Sequence, residues 1–296
     1  MHVELGIVGS HGEGKQSTAI GWPTVNRVKM ENYIREHGPA YRPLMSDFPP
    51  VLPGSPLTPP REPFWGYSDL LLFLGLIPVS MFLGWAFVRA GLWLFGISNS
   101  EPVGVLLLEE CLGYIVLFGA LAHIFRIRYD RPFWQSLGWR PMRAHSSTPF
   151  TDISIVVFMG VMVALAVAFL SEVIRTPETP NPMSQMVQSQ SGLIPMAIFG
   201  ITVAPVCEEL GFRGFLQPLL VRTLGPWPGI LLTSIPFGLL HYQEFGDSWR
   251  HVVLVSCSGA AFGFVRYRNG STKTAALMHA AYNAFFFGTT FYGGNS

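Results

Sequence analysis

The sequence predicts an all-α, polytopic transmembrane helix bundle of about seven spans, preceded by a disordered N-terminal arm. Three observations carry the prediction. Of 296 residues, 49% are hydrophobic and 12% charged, whereas an average globular domain is about a quarter charged. Uncharged apolar runs at Leu70–Val88, Ile153–Leu170 and Leu224–Leu240 approach the roughly 20 residues that cross a bilayer. Finally, Lys and Arg fall in alternate loops, as they do where they mark the cytoplasmic side.

Residues 1–66 come first and differ in kind: polar, unperiodic, and ending in the proline-rich run DFPPVLPGSPLTPPREPF. Proline supplies no backbone donor to a helix or sheet, so a disordered cytoplasmic arm and linker is expected. Residues 1–20 lack a basic region followed by an apolar stretch, so no cleavable signal peptide is predicted and the first span serves as the insertion signal. Within the arm, Gly9 to Lys15 has the spacing of a phosphate loop. Gln16 occupies the place of the Ser or Thr that would meet magnesium, and Gly21 and Pro23 interrupt the helix that would hold the phosphate. No nucleotide is expected there and no nucleic-acid partner is expected, while the net charge of +1 adds nothing about partners.

The next region, 67–150, holds two spans and a basic loop. The first span is Leu70–Val88; the second, Val103–Phe125, is interrupted by Glu109, Glu110 and His123. The loop after it carries Arg126, Arg128, Arg131, Arg140 and Arg143. The last region, 151–296, holds Ile153–Leu170, then Leu193–Leu220, Leu224–Leu240, the short Val252–Val265, and Ala275–Tyr292. Arg222, and then Arg266, Arg268 and Lys273, fall on the same side as the first basic loop, while Arg175 and Arg250 alone fall opposite. The N-terminus is therefore expected inside and the C-terminus outside. Cys111, Cys207 and Cys257 are isolated, with no CxxC spacing, so neither a disulfide framework nor a thiolate metal site is implied.

Polar residues inside these spans are costly, about 2.5–3.5 kcal/mol each for a charge near the bilayer centre on insertion scales, so they are expected to face inward and find partners. In VCEELGFRGFLQPLL, Glu209 and Arg213 stand four apart with the acid first, the favourable order for a pair. Glu208 lies about 100° round the helix, without a local cation, and is available as a general base or acid. The fifth span offers Phe237 and His241 on one face, the seventh His279 and Asn283 on one face. A single His or Asn in a span is commonly an interhelical hydrogen bond of about 1 kcal/mol. Three such stations on late spans, with none on the third, favour a site instead.

The succession Glu-Glu-x-x-x-Arg, Phe-x-x-x-His and His-x-x-x-Asn, on Glu208, Glu209, Arg213, Phe237, His241, His279 and Asn283, resembles the CPBP family of CAAX protease and bacteriocin-processing intramembrane endopeptidases, which includes the type II CAAX prenyl endopeptidase. The resemblance covers roughly Ile153 to Tyr292 and leaves Glu109 and Glu110 without a role. It implies hydrolysis of a peptide bond in a membrane-embedded or lipidated polypeptide, within the bilayer. Glu208 and His241 would then activate water, His279 and Asn283 would stabilise the oxyanion, Glu209 and Arg213 would support the fourth span, and Phe237 would pack. Metal-free chemistry is favoured; zinc is possible, with Glu208, His241 and His279 as its ligands. Two other functions fit buried Glu and His: an ion- or proton-coupled transporter, or a non-catalytic membrane scaffold of the same fold. Straight helices would hold Glu208, His241 and His279 at different depths, so bending at Pro205 and Pro236 is expected.

Overall fold

The computed structural model describes residues 62–97, 102–143, 148–177, 185–186 and 190–293. The chain divides into units 1–59 and 60–296, and everything described lies in the second. The Gly9–Lys15 loop and nearly all of the arm lie outside the described residues.

The described residues are all-α. The helices are α1 Tyr67–Leu94, α2 Pro102–Tyr129, the short α3 Phe133–Ser136, α4 Pro149–Val173, α5 Gln190–Glu209, α6 Gln217–Leu224, α7 Pro226–Leu240, α8 Trp249–Asn269 and α9 Thr272–Gly293. A π-helical turn, Leu210–Leu216, joins α5 to α6 without interruption. Four stretches among the described residues are long and apolar enough to cross a membrane: Tyr67–Leu94, Val103–Tyr129, Pro149–Val173 and Gly192–Leu224. Their large apolar side chains point outward, as at Phe82, Trp85, Phe158 and Phe169. Such surface suits lipid rather than water, and the chain is an integral multi-pass membrane protein.

Helices also stand at the other three expected spans, but they differ in character. In place of the apolar run Leu224–Leu240 there is a helix of 15 residues, short for a crossing. Helices α8 and α9 have 21 and 22 residues and spend more of their length on polar side chains.

Local sequence explains the helix ends. Thr148 caps α4 by accepting from Thr151 N at 3.3 Å, with Pro149 in the first turn. Gly270, at φ 78°, ends α8 in the left-handed conformation that glycine tolerates. Gly225, at φ 89°, turns the chain between α6 and α7. The π turn lies just before Pro218, whose ring would meet the Gly214 carbonyl in a regular α-helical turn. Widening the turn relieves that clash.

Helix α1 packs on α2, α9 on α4 and α5, and α7 between α6 and α8. Small residues permit the close approaches usual among membrane helices. A side chain at Gly84 of α1 would strike the Gly113 backbone of α2, and one at Gly160 of α4 would strike the α9 backbone at Met278. The last residues of the expected arm are ordered: Trp65 is 1% exposed, stacks on Phe215 and Phe125, and donates from its indole nitrogen to Phe215 O at 3.1 Å. Arg222 donates to the Pro63 and Trp65 carbonyls, fastening this segment to α6.

Candidate active site

Two local features set the depth of the site. The first is the tight turn at Gly225. Glu208 lies seventeen residues before it and His241 sixteen after it, so the antiparallel pairing of α6 and the π turn with α7 brings both residues to the same end, ~20–25 Å from the turn at 1.5 Å per residue. The mismatch in depth expected from straight spans is reduced, because α6 runs on to Leu224 and α7 begins at Pro226, which leaves the two residues nearly equidistant from the turn.

The second feature is the loop after α2, which packs deep enough to hold the start of α9. Thr272 donates from its backbone to Gly138 O at 2.9 Å and from its hydroxyl to Leu137 O at 2.6 Å. Leu137 is fully buried, and its carbonyl abuts Gly214 of the π turn. Helix α9 therefore begins level with the π turn, and His279, two turns on, reaches Glu209.

Glu209 is the centre of a buried cluster. Its Oε1 accepts from Arg213 Nη1 at 2.9 Å and lies 3.1 Å from His279 Nδ1. Glu209 and Arg213 are both 0% exposed and His279 is 4% exposed. The other Arg213 terminal nitrogen donates to Gly259 O on α8 at 2.7 Å. Its guanidinium carbon sits 4.3 Å from the centre of the Phe237 ring, close enough for cation–π attraction. Phe237, 1% exposed, is thus a wall of the charged cluster as well as packing. His279 stacks on Phe262, with ring centres 4.7 Å apart. Besides pairing with Arg213, Glu209 also holds His279, the residue that the family resemblance assigns to the oxyanion.

A second group lies beside this one. Glu208 is partly buried, and its Oε2 has no hydrogen-bond partner among the described residues. His241 is partly buried, with Nδ1 2.8 Å from Phe237 O and Nε2 4.0 Å from Glu244 Oε2. Partial removal from solvent raises the Glu244 carboxyl above the ordinary glutamate range; His241 opposes that shift and Glu208 adds to it. Glu208, His241 and Glu244 thus share one electrostatic environment. Glu110 on α2 lies within reach of the same charges and accepts from Tyr114 Oη at 2.9 Å. Its neighbour Glu109 instead pairs with Arg89 at 2.7 Å. Asn283 donates from Nδ2 to Gly200 O on α5 at 2.7 Å, which leaves its second amide proton for other work.

The structure therefore brings His279 to Glu209 and Arg213, sets Glu208 and His241 within electrostatic reach of the same Glu244 and Glu110, and ties Asn283 to α5. Sequence reasoning singled out Glu110 but gave it no role, and it missed Tyr114 and Glu244. It also missed a signal that was legible. Gly259 and Gly263 form a GxxxG pattern, and their carbonyls accept from Arg213 and from Gln217, also four apart, the latter at 2.9 Å. Such a pattern marks a close helix contact in membrane proteins.

The conditional zinc ligands do not assemble. Among the described residues no three His, Cys, Asp or Glu side chains are placed to hold a metal ion. Glu208, His241 and His279 therefore do not come together as a three-ligand zinc site in this geometry.

Fold and site together define a helical membrane protein with a buried Glu–Arg–His cluster beside a second, less buried Glu–His pair. Residues 190–285 match the family model described as type II CAAX prenyl endopeptidase Rce1-like, and so form an Rce1-like domain. That match contains every site residue from Glu208 to Asn283. Members of the family are CAAX prenyl endopeptidases, which are hydrolases. No curated protein and no solved structure matches the chain.

Proposed function

We propose that the chain is an intramembrane endopeptidase that hydrolyses a peptide bond in a lipidated, CAAX-type or other membrane-associated polypeptide. The observation that carries this reading is the Rce1-like match over 190–285, which spans Glu208, Glu209, Arg213, His241, His279 and Asn283. In this reading Glu208 and His241 bind and deprotonate the attacking water. The free Glu208 Oε2 is the acceptor that step needs. The proton taken up is returned to the leaving amine nitrogen as the C–N bond breaks. His279, with a proton on each ring nitrogen, donates from Nδ1 to Glu209 and from Nε2 to the carbonyl oxygen, and the second amide proton of Asn283 completes the oxyanion contacts. Removing one donor of this kind typically costs about 10²–10³ in rate. Helices α7, α8 and α9 complete the set of seven spans, with the basic loops inside and the C-terminus outside.

The test is cleavage of a farnesylated CAAX-type peptide by the full chain in proteoliposomes. Glu208→Gln, which keeps the side-chain shape but cannot take a proton, should abolish turnover and leave thermal stability near that of the parent. Cleavage should also survive a strong chelator. A stable, inactive Glu209→Gln alongside an active Glu208→Gln would give the base to the other glutamate. Loss of activity on chelation, restored by zinc, would mean that the site rearranges around a metal. If the prenylated peptide is left intact by a well-folded protein, comparing the membrane proteome of cells carrying the parent with that of cells carrying Glu208→Gln should reveal another polypeptide that accumulates uncut.

A further inference from the structure

A cavity of about 800 Å³ lies between α4, α5 and α9, under the loop after α3. It falls within the range of roughly 300–1,000 Å³ typical of small-molecule sites. Its walls are apolar, with Ile153 from α4, Ile201 and Val206 from α5, and Leu277 and Ala280 from α9. None of Glu208, Glu209, His241, His279 and Asn283 lines it. One end is different: Trp139 and Lys273 stand there, with the Lys273 ammonium 5.7 Å from the centre of the Trp139 ring.

Exposed basic residues mark that end, beside the first turn of α4, which carries Asp152. Arg140, between the lining residues Trp139 and Pro141, is exposed, as is Lys273. Arg140 acts repulsively on Arg266 nearby. Among the described residues, no carboxylate pairs with Arg140, Arg266 or Lys273. Asp152, the one carboxylate in the lining, is buried and not free. An apolar slot beside candidate spans, with a tryptophan and unpaired cations at one end, has the polarity of a single lipid molecule. Tryptophan concentrates at the level of the headgroups, and basic pockets between membrane helices bind anionic headgroups.

We propose that this cavity binds one anionic phospholipid, with an acyl chain along α4, α5 and α9 and the phosphate at Lys273. The walls include α5 just before Glu208 and α9 at the residue after His279, so a bound chain would brace the two helices that bring Glu209 to His279. The proposal rests on the cavity and its rim and is independent of the hydrolysis proposed above.

The experiment uses the full chain, purified in detergent and titrated with phosphatidylglycerol or with phosphatidylcholine of the same acyl chains. Native mass spectrometry reads the bound lipid, and thermal denaturation reads its effect. One phosphatidylglycerol should bind per chain in preference to phosphatidylcholine and should raise Tm. Removing the charge with Lys273→Ala should weaken binding about fivefold, as expected for one basic residue at a lipid surface. Ala280→Phe, which fills the slot, should reduce binding while the rim is intact. If Ala280→Phe fails to fold, Lys273→Ala, an exposed position, decides the matter alone. Equal affinity for both lipids, or unchanged phosphatidylglycerol binding by Lys273→Ala, would overturn the proposal. So would displacement of the phospholipid by a farnesylated peptide, since the cavity would then belong to the polypeptide substrate.

Discussion

Glu209 and His279, seventy residues apart in the chain, meet at 3.1 Å in a pocket closed to solvent, with Arg213 on the same carboxylate oxygen. A buried ion pair contributes little net stability, because desolvating two charges offsets most of their attraction. Removing one member alone has a much larger effect, since the other charge is then stranded away from water.

Glu209→Gln should therefore act on stability first. It leaves the Arg213 guanidinium buried and poorly compensated, and breaking such a pair typically costs about 3–5 kcal/mol. The double variant Glu209→Gln with Arg213→Gln should recover part of the loss, since no charge is then orphaned. Thermal denaturation of the two variants and the parent checks this. A double variant less stable than the single one would show that the cluster is held by something other than charge pairing.

Gly259→Ala tests how closely α8 must approach the cluster. An added Cβ would lie 2.8 Å from Phe237 Cδ1 and 3.0 Å from Arg213 Nη2, so ring and guanidinium must both shift. Overpacking of this kind costs about 1–3 kcal/mol. Lower Tm is expected. Gly288→Ala, where a Cβ meets nothing within 4 Å, should behave like the parent.

Trp65 anchors the entry to α1 against the π turn, and two substitutions separate its contributions. Trp65→Ala opens a hole in the aromatic cluster with Phe125 and Phe215 and should cost about 3–5 kcal/mol. Trp65→Phe keeps a ring but loses the hydrogen bond to Phe215 O, a deficit of about 0.5–1.5 kcal/mol, and some packing. Equal losses in Tm for the two would mean that the ring itself adds nothing.

Orientation can be read with reporters. A fusion after Arg143 should report the cytoplasmic side, and one after Ser296 the opposite side. Both on one side would remove the seven-span arrangement and require an even number of crossings between the two points.

Much of this protein is legible without coordinates. Apolar runs of spanning length force helices, since only a helix satisfies its own backbone in lipid, and intramembrane charges must find partners. Glu209 and Arg213 are bound to be neighbours by helix geometry alone, because four residues make about one turn. The Glu208, His241, His279 and Asn283 stations were visible for the same reason: each is a polar residue where the solvent is oil. The GxxxG at Gly259 and Gly263 was equally visible, as a face without side chains.

Sequence periodicity fixes direction around a helix but neither where that helix starts in depth nor what its neighbour offers. Tertiary structure decided those matters. The turn at Gly225 brings His241 nearly level with Glu208, and the seating of Thr272 on Leu137 and Gly138 raises α9 until His279 meets Glu209 rather than Glu208. Glu110 and Glu244 join the site only because α2 and the loop after α7 are folded against it. Local sequence could not reveal this, since Coulombic and hydrogen-bonding energies depend on distances of a few ångströms between chain segments that only packing brings together.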